Sequence, residues 1–133
     1  MKERTVLVVD DNELNLKLMQ GILKVANCRM EQAADAHTGI EMAKKLTPDL
    51  IVMDIQLPDM DGIEAVRWIK KDPSLSLTPI IAVTGYGVDD KKAAAMDAGC
   101  TAIISKPIAV QAFIHKLNKL LCNNMGCAVF LKS

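Results

Sequence analysis

Asp10, Asp11, Asp54, Thr84 and Lys106 are the residues of this chain best suited to chemistry, because each closes a short apolar run. Val6-Leu7-Val8-Val9 stops at Asp10 and Asp11, and Leu50-Ile51-Val52-Met53 stops at Asp54. Ile80-Ile81-Ala82-Val83 stops at Thr84, and Ala102-Ile103-Ile104 stops at Ser105-Lys106. Taken singly, each has an ordinary explanation. An aspartate after a strand caps the next helix, a threonine there is a turn residue, and a lysine before a proline is a surface charge. Strand ends that jointly carry three carboxylates, a hydroxyl and an ammonium describe one site instead. Carboxylates sharing a crevice raise one another's pKa unless a cation intervenes. An open set of oxygen donors suits Mg2+, which keeps several waters and uses one or two carboxylates. Mg2+ recruits phosphate, an ammonium pairs with a phosphoryl oxygen, and an aspartate can accept the phosphoryl group covalently. The set is that of a phosphoryl-transfer site, where positioning and charge neutralisation dominate.

The elements that must assemble these residues alternate along the chain. The apolar runs are short and three are rich in β-branched residues, which predicts strands buried on both faces. A more polar stretch, Arg29 to Ala33, suits a sheet edge. Between the runs lie helical patterns: Leu14, Leu18, Ile22 and Val25 on one face; Ile40, Ala43 and Leu46; Ile63, Val66 and Ile69; Ala93, Ala94 and Met96, closed by Gly99; and Val110, Ile114, Leu117 and Leu121. The first helix has more apolar residues than one stripe can hide, so some, for instance Leu16 or Leu23, are expected outside, as a docking face for a partner. Five βα units predict a parallel sheet with right-handed crossovers. The matching fold is α/β and flavodoxin-like, a doubly wound five-stranded parallel sheet of order 2-1-3-4-5 with helices on both faces. Residues 1–121 form this domain, and 122–133 are expected as a loosely ordered C-terminal tail. Ligands bind such sheets beyond the carboxyl ends of the strands, which is where the five residues fall.

Composition narrows the function. The chain has 133 residues and 16 basic against 16 acidic side chains, a formal net charge of zero. That argues against nucleic acid or a membrane surface as partner. Aromatic residues make up 3%, too few for a base-stacking platform. Cys28, Cys100, Cys122 and Cys127 show no C-x-x-C spacing, so thiols in a reducing compartment are expected. No signal-peptide core or membrane span is visible, and the expected location is the cytoplasm.

The segments Val6-Leu7-Val8-Val9-Asp10-Asp11-Asn12, Met53-Asp54-Ile55-Gln56-Leu57-Pro58-Asp59-Met60-Asp61-Gly62, Ala82-Val83-Thr84 and Ile104-Ser105-Lys106-Pro107 together resemble the receiver domains of response regulators, the CheY-like family. The resemblance covers about residues 4–121. Within the family the chain is similar to single-domain regulators of the DivK type and to receivers attached to hybrid histidine kinases. The resemblance implies that Asp54 accepts a phosphoryl group from a phosphohistidine on a histidine kinase or histidine phosphotransfer protein. It implies Mg2+ as cofactor, held by Asp11, Asp54 and the backbone carbonyl of Gln56, with Asp10 acting through water. Lys106 would contact Asp54 and then the phosphoryl group, and Thr84 would turn inward to it. Gln56 and Tyr86 flank the phosphoryl position and would tune its loss to water. One departure stands out. Ile103 occupies a position where the family usually carries Tyr or Phe, and a branched aliphatic side chain cannot copy the usual aromatic rotation.

The expectation is a phosphoacceptor signalling domain in a two-component system or phosphorelay. It would be no enzyme in the ordinary sense, though it assists its own phosphotransfer and dephosphorylation. Its output would be a changed protein–protein interaction. It would stand alone or be the receiver of a hybrid histidine kinase. An Mg2+-dependent phosphatase of the haloacid dehalogenase type is the rival, but its nucleophile sits in a D-x-D pair after the first strand, and neither Asp10 nor Asp54 fits that pattern.

Overall fold

The structure is a computed structural model that describes residues 4–85, 88–106 and 108–125. Strands β1 (Arg4–Val9), β2 (Cys28–Ala33), β3 (Leu50–Asp54), β4 (Ile80–Thr84) and β5 (Ala102–Ser105) alternate with helices α1 (Glu13–Val25), α2 (Ala36–Leu46), α3 (Gly62–Lys70), α4 (Val88–Ala98) and α5 (Val110–Met125). The strands form one parallel sheet in the order β2-β1-β3-β4-β5, as the alternation predicts, with the polar β2 at an edge. Helix α5 runs four residues past Leu121. Among the described residues, no helix is long and apolar enough to cross a membrane.

The central strands are buried on both faces, so their side chains divide between two cores. Leu7, Val9, Ile51, Met53, Ile80 and Ala82 pack against α2, α3 and α4. Val6, Val8, Leu50, Val52, Ile81 and Val83 pack against α1 and α5. This period-2 division on strands with continuous apolar sequence marks a sheet covered on both sides.

The helices correct several assignments. On α1 the face turned to the sheet is Leu16, Met19, Ile22 and Leu23, while Leu14, Leu18 and Val25 are exposed. Leu16 and Leu23 are therefore core residues, and of the four residues expected inside, Ile22 is buried while Leu14, Leu18 and Val25 face outward. Both stripes have helical spacing. Which one faces inward depends on where Asn12 starts the helix after β1, and periodicity does not encode that. On α4, Ala95 and Ala98 are buried and Met96 is exposed. A run of alanines carries little hydrophobic pattern. On α5, Phe113, Leu117 and Leu121 fill the core and Val110 is exposed. Leu46, at the end of α2, is also exposed.

The approach to the amino end of β4 is closed by polar contacts of Lys70. The Lys70 ammonium donates to the carbonyls of Leu75, Ser76 and Thr78 at 3.4, 3.1 and 2.6 Å, tying α3 to the approach of β4. Burial pushes its pKa down and pushes the neighbouring Cys100 thiol up to about 11. Cys100 is thus an unreactive thiol at neutral pH. Gly99, at φ +122°, packs on the Lys70 stem, which lies 2.8 Å from where a Cβ would sit.

The corrected phase of α1 sets an expected outcome. Leu23→Ala should destabilise the protein by about 2–5 kcal/mol through a core cavity, whereas Leu14→Ala should stay within about 0.5 kcal/mol. Urea unfolding of the two variants checks it, and equal losses would contradict the assignment of faces.

Candidate functional site

The strand ladders hold the candidate residues at one end of the sheet through their own backbones. The Asp10 N–H donates to Ala33 O at 3.0 Å, fixing the end of β1 on β2. The Ile55 N–H donates to Val83 O at 2.9 Å, fixing the end of β3 on β4. The Lys106 N–H donates to Thr84 O at 2.7 Å, fixing β5 on β4. A site built this way inherits the precision of the sheet.

Local capping then frees the acidic side chains. The cap of α1 is Asn12, whose Oδ1 accepts the N–H groups of Leu14 and Asn15 at 2.8 and 3.2 Å. Neither Asp10 nor Asp11 is spent on that task. Asp10 instead accepts the Asn12 N–H at 2.9 Å, and Asp54 accepts the Gln56 N–H at 2.9 Å. Each turn aims its carboxylate over the sheet end.

One oxygen from each of Asp10, Asp11 and Asp54 lies within 4.8 Å of the others. Asp10 and Asp54 are buried, and Asp11 is exposed. Lys106 reaches across from β5 and places Nζ 3.0 Å from Asp54 Oδ2. Its side chain is about a quarter exposed, while that of Asp54 is 2% exposed. Among the described residues, one ammonium thus faces three carboxylates. Burial, and after it the Asp54 charge, raise the Asp10 pKa above its usual value; the Asn12 N–H, Lys106 and the Asn15 side chain oppose that rise. Hard oxygen donors converging with surplus negative charge fit Mg2+ or a similar hard cation. Asp10 and Asp54 come from different strands, unlike a D-x-D nucleophile pair.

Thr84 is buried at the end of β4, next to β3 in the sheet. Ile103 is half-buried and packs against the core beneath α2, α3 and α4. The Gln56 side chain stands at the mouth of the site, its Oε1 3.4 Å from where a Cβ on Gly85 would lie. Tyr86 lies outside the described residues.

Two features of the site are not legible in the sequence. Gly62 begins α3 so close to the strand end that a Cβ there would sit 2.3 Å from Asp54 O and 2.6 Å from Ile55 Cα. The Asp61-Gly62 pair is visible in the sequence, but the contact that requires a glycine is not. Asp59 and His37 form a contact between the β3–α3 loop and α2, and no sequence signal announces it.

The Asp10 shift has a stability consequence. A carboxyl whose folded pKa is raised makes the folded state less stable above that pKa. Metal-free protein should therefore gain stability as pH falls through the raised value, with the gain complete below about 3.8. Asp10→Asn should raise the melting temperature of the metal-free protein at pH 7 and remove that part of the pH dependence. Thermal unfolding in chelator at several pH values tests this, and a lower melting temperature for Asp10→Asn would contradict it.

Comparison with known proteins agrees with this geometry. The model of the response regulator receiver domain matches residues 6–118. The polar-differentiation response regulator DivK of Brucella anthropi is 36% identical over 118 residues, covering 89% of this chain and 96% of its own. A CheY-like receiver domain protein from Methanospirillum hungatei superposes with a TM-score of 0.87 at 28% identity, over 94% of this chain and 98% of that one. The receiver domain of a sensor histidine kinase from Pseudomonas aeruginosa, solved with a magnesium ion in its active-site cleft, superposes with a TM-score of 0.80 at 26% identity, over 95% and 100% of the two chains.

Proposed function

The chain belongs to the response regulator receiver domain family, and from that premise we propose that Asp54 is its phosphoacceptor and that phosphorylation alters its contacts with other proteins. Receiver domains are the signalling modules of two-component systems, and this one is DivK-like. The observation that carries the reading is the buried Asp54 carboxylate, paired with Lys106 at 3.0 Å and clustered with Asp10 and Asp11.

In this reading an Asp54 oxygen attacks phosphorus of a phosphohistidine. The new P–O bond forms as the P–N bond breaks, and the donor imidazole leaves with the electron pair and takes up a proton. Lys106 shifts its ammonium from the carboxylate to a phosphoryl oxygen, and the Thr84 hydroxyl donates to another. Asp11, Asp54 and the Gln56 carbonyl would hold Mg2+, with Asp10 acting through water. When bound, the ion would offset the charge gathering on the phosphoryl oxygens. The magnesium seen in the Pseudomonas receiver supports the choice of ion. With Ile103 in place of an aromatic, the readout rests on the Thr84 loop and α4 rather than on a rotating ring.

The donor would be a histidine kinase or histidine phosphotransfer protein. The exposed stripe of Leu14, Leu18 and Val25 on α1, the helix that begins right after Asp10 and Asp11, suits the apolar face of such a helical partner.

Two outcomes are expected. Acetyl phosphate with Mg2+ should give one labile phosphoryl adduct by intact-mass spectrometry, absent without Mg2+ and in Asp54→Asn. An undiminished adduct in Asp54→Asn would overturn the assignment. Leu18→Ser should leave acetyl phosphate labelling unchanged and slow transfer from the cognate phosphohistidine protein by about tenfold, equivalent to roughly 1.4 kcal/mol at the interface. Transfer kinetics measured side by side decide that point.

A further inference from the structure

The β3–α3 loop, which carries Gln56, is held from outside by a helix that contributes nothing to the acidic cluster. Asp59 Oδ1 accepts the Ala36 N–H at 2.8 Å, and Asp59 Oδ2 accepts the His37 N–H at 3.0 Å. The His37 ring meets the same oxygen through Nδ1. The two backbone donors belong to the first turn of α2, where N–H groups have no partner within the helix. The helix already has a cap of its own, since Asp35 accepts the Thr38 N–H at 2.8 Å. Asp59 is thus a second carboxylate at that helix end, supplied by a different segment. The Ala36 N–H above all, with the His37 contacts, keeps its carboxyl well below the usual range.

The loop is otherwise tied at its ends. Gln56 donates its N–H to Asp54 Oδ1, Gln56 and Asp61 pair as an antiparallel bridge, and the Gly62 N–H donates to Ile55 O at 2.8 Å. Leu57 and Met60 pack against the core on either side of Asp59. A charge-assisted contact at the loop's crest therefore completes a closed frame around Gln56.

We propose that Asp59 and the first turn of α2 form a clasp that positions the β3–α3 loop, and with it the Gln56 carbonyl, for the metal ion. The inference rests on the reading of Gln56 as a metal ligand given above. Asp59 is a positioning residue in this scheme and touches neither ion nor phosphoryl group. Reciprocity follows: if the clasp strengthens Mg2+ binding, Mg2+ must strengthen the clasp by the same factor.

The test is Mg2+ titration calorimetry on the full chain for wild type, Asp59→Asn, Asp59→Ala and His37→Ala, with circular dichroism to establish folding. Amide exchange at Ala36, His37 and Thr38 is followed in the wild type with and without Mg2+. Asp59→Ala should weaken Mg2+ by about tenfold, as loss of a group supporting a metal ligand does. Asp59→Asn should recover part of the loss, because its amide oxygen can still accept one N–H. His37→Ala, which keeps both backbone donors, should change affinity less. Mg2+ should slow exchange at Ala36 and His37 and change Thr38 less. Unchanged Mg2+ affinity in folded Asp59→Ala overturns the clasp while leaving the metal site intact. If Asp59→Ala does not fold, wild-type exchange decides, and no slowing at Ala36 and His37 overturns the proposal. Failure of the wild type to bind Mg2+ overturns the metal reading beneath it, and the clasp's role with it.

Discussion

The central constraint on this molecule is the placement of a carboxylate, Asp54, at the buried end of a central strand with two more carboxylates beside it. A buried charge without a partner is very costly. Lys106 supplies one opposite charge, at 3.0 Å, and backbone N–H groups supply hydrogen bonds to Asp54 and Asp10. Among the described residues the count still leaves negative charge in excess. The site is therefore a local weakness of the apo fold that a cation would relieve, so that binding and stability become linked. The rest of the architecture keeps that weakness from spreading. Ladder bonds fix the strand ends, and Gly62 brings the start of α3 against the Asp54 carbonyl.

The two ends of the sheet contrast in this respect. At the amino ends, the partly buried Lys70 ammonium finds three carbonyls, and the nearby Cys100 thiol is held protonated. That end serves stability. At the carboxyl ends, charge is concentrated and only partly matched, which is the usual mark of a functional site. A short parallel sheet supports both because its two cores are separately packed and share rigid strands.

The strands, and the cluster of candidate residues at their ends, were legible because strands buried on both faces read as unbroken apolar runs, and each run breaks at a polar residue. Asp10, Asp54, Thr84 and Lys106 stand out for that reason. The inward face of α1 was not legible. Leu14, Leu18, Ile22, Val25 and Leu16, Met19, Leu23 are both good helical stripes, and only the cap at Asn12 settles the phase. Asp59 was hidden for a different cause. Its partners are backbone N–H groups 22 and 23 residues away, which have no side-chain identity to read. Gly62 appeared in a motif, but a steric demand from a carbonyl oxygen is a property of three dimensions.

The strand order carries a consequence for synthesis. The residues of the acidic site emerge from the ribosome far apart in time, Asp10 first and Lys106 last. Strand β1 must pair with β3 across α1, β2 and α2, and Lys106 joins only when β5 docks on β4. Such non-local pairing is slow compared with helix formation. A nascent chain that has made β3 but not β5 holds the aspartates without their ammonium. The counter-charge that makes Asp54 tolerable in the interior arrives only with β5, the last strand of the sheet. The acidic cluster thus meets its ammonium only when the sheet closes.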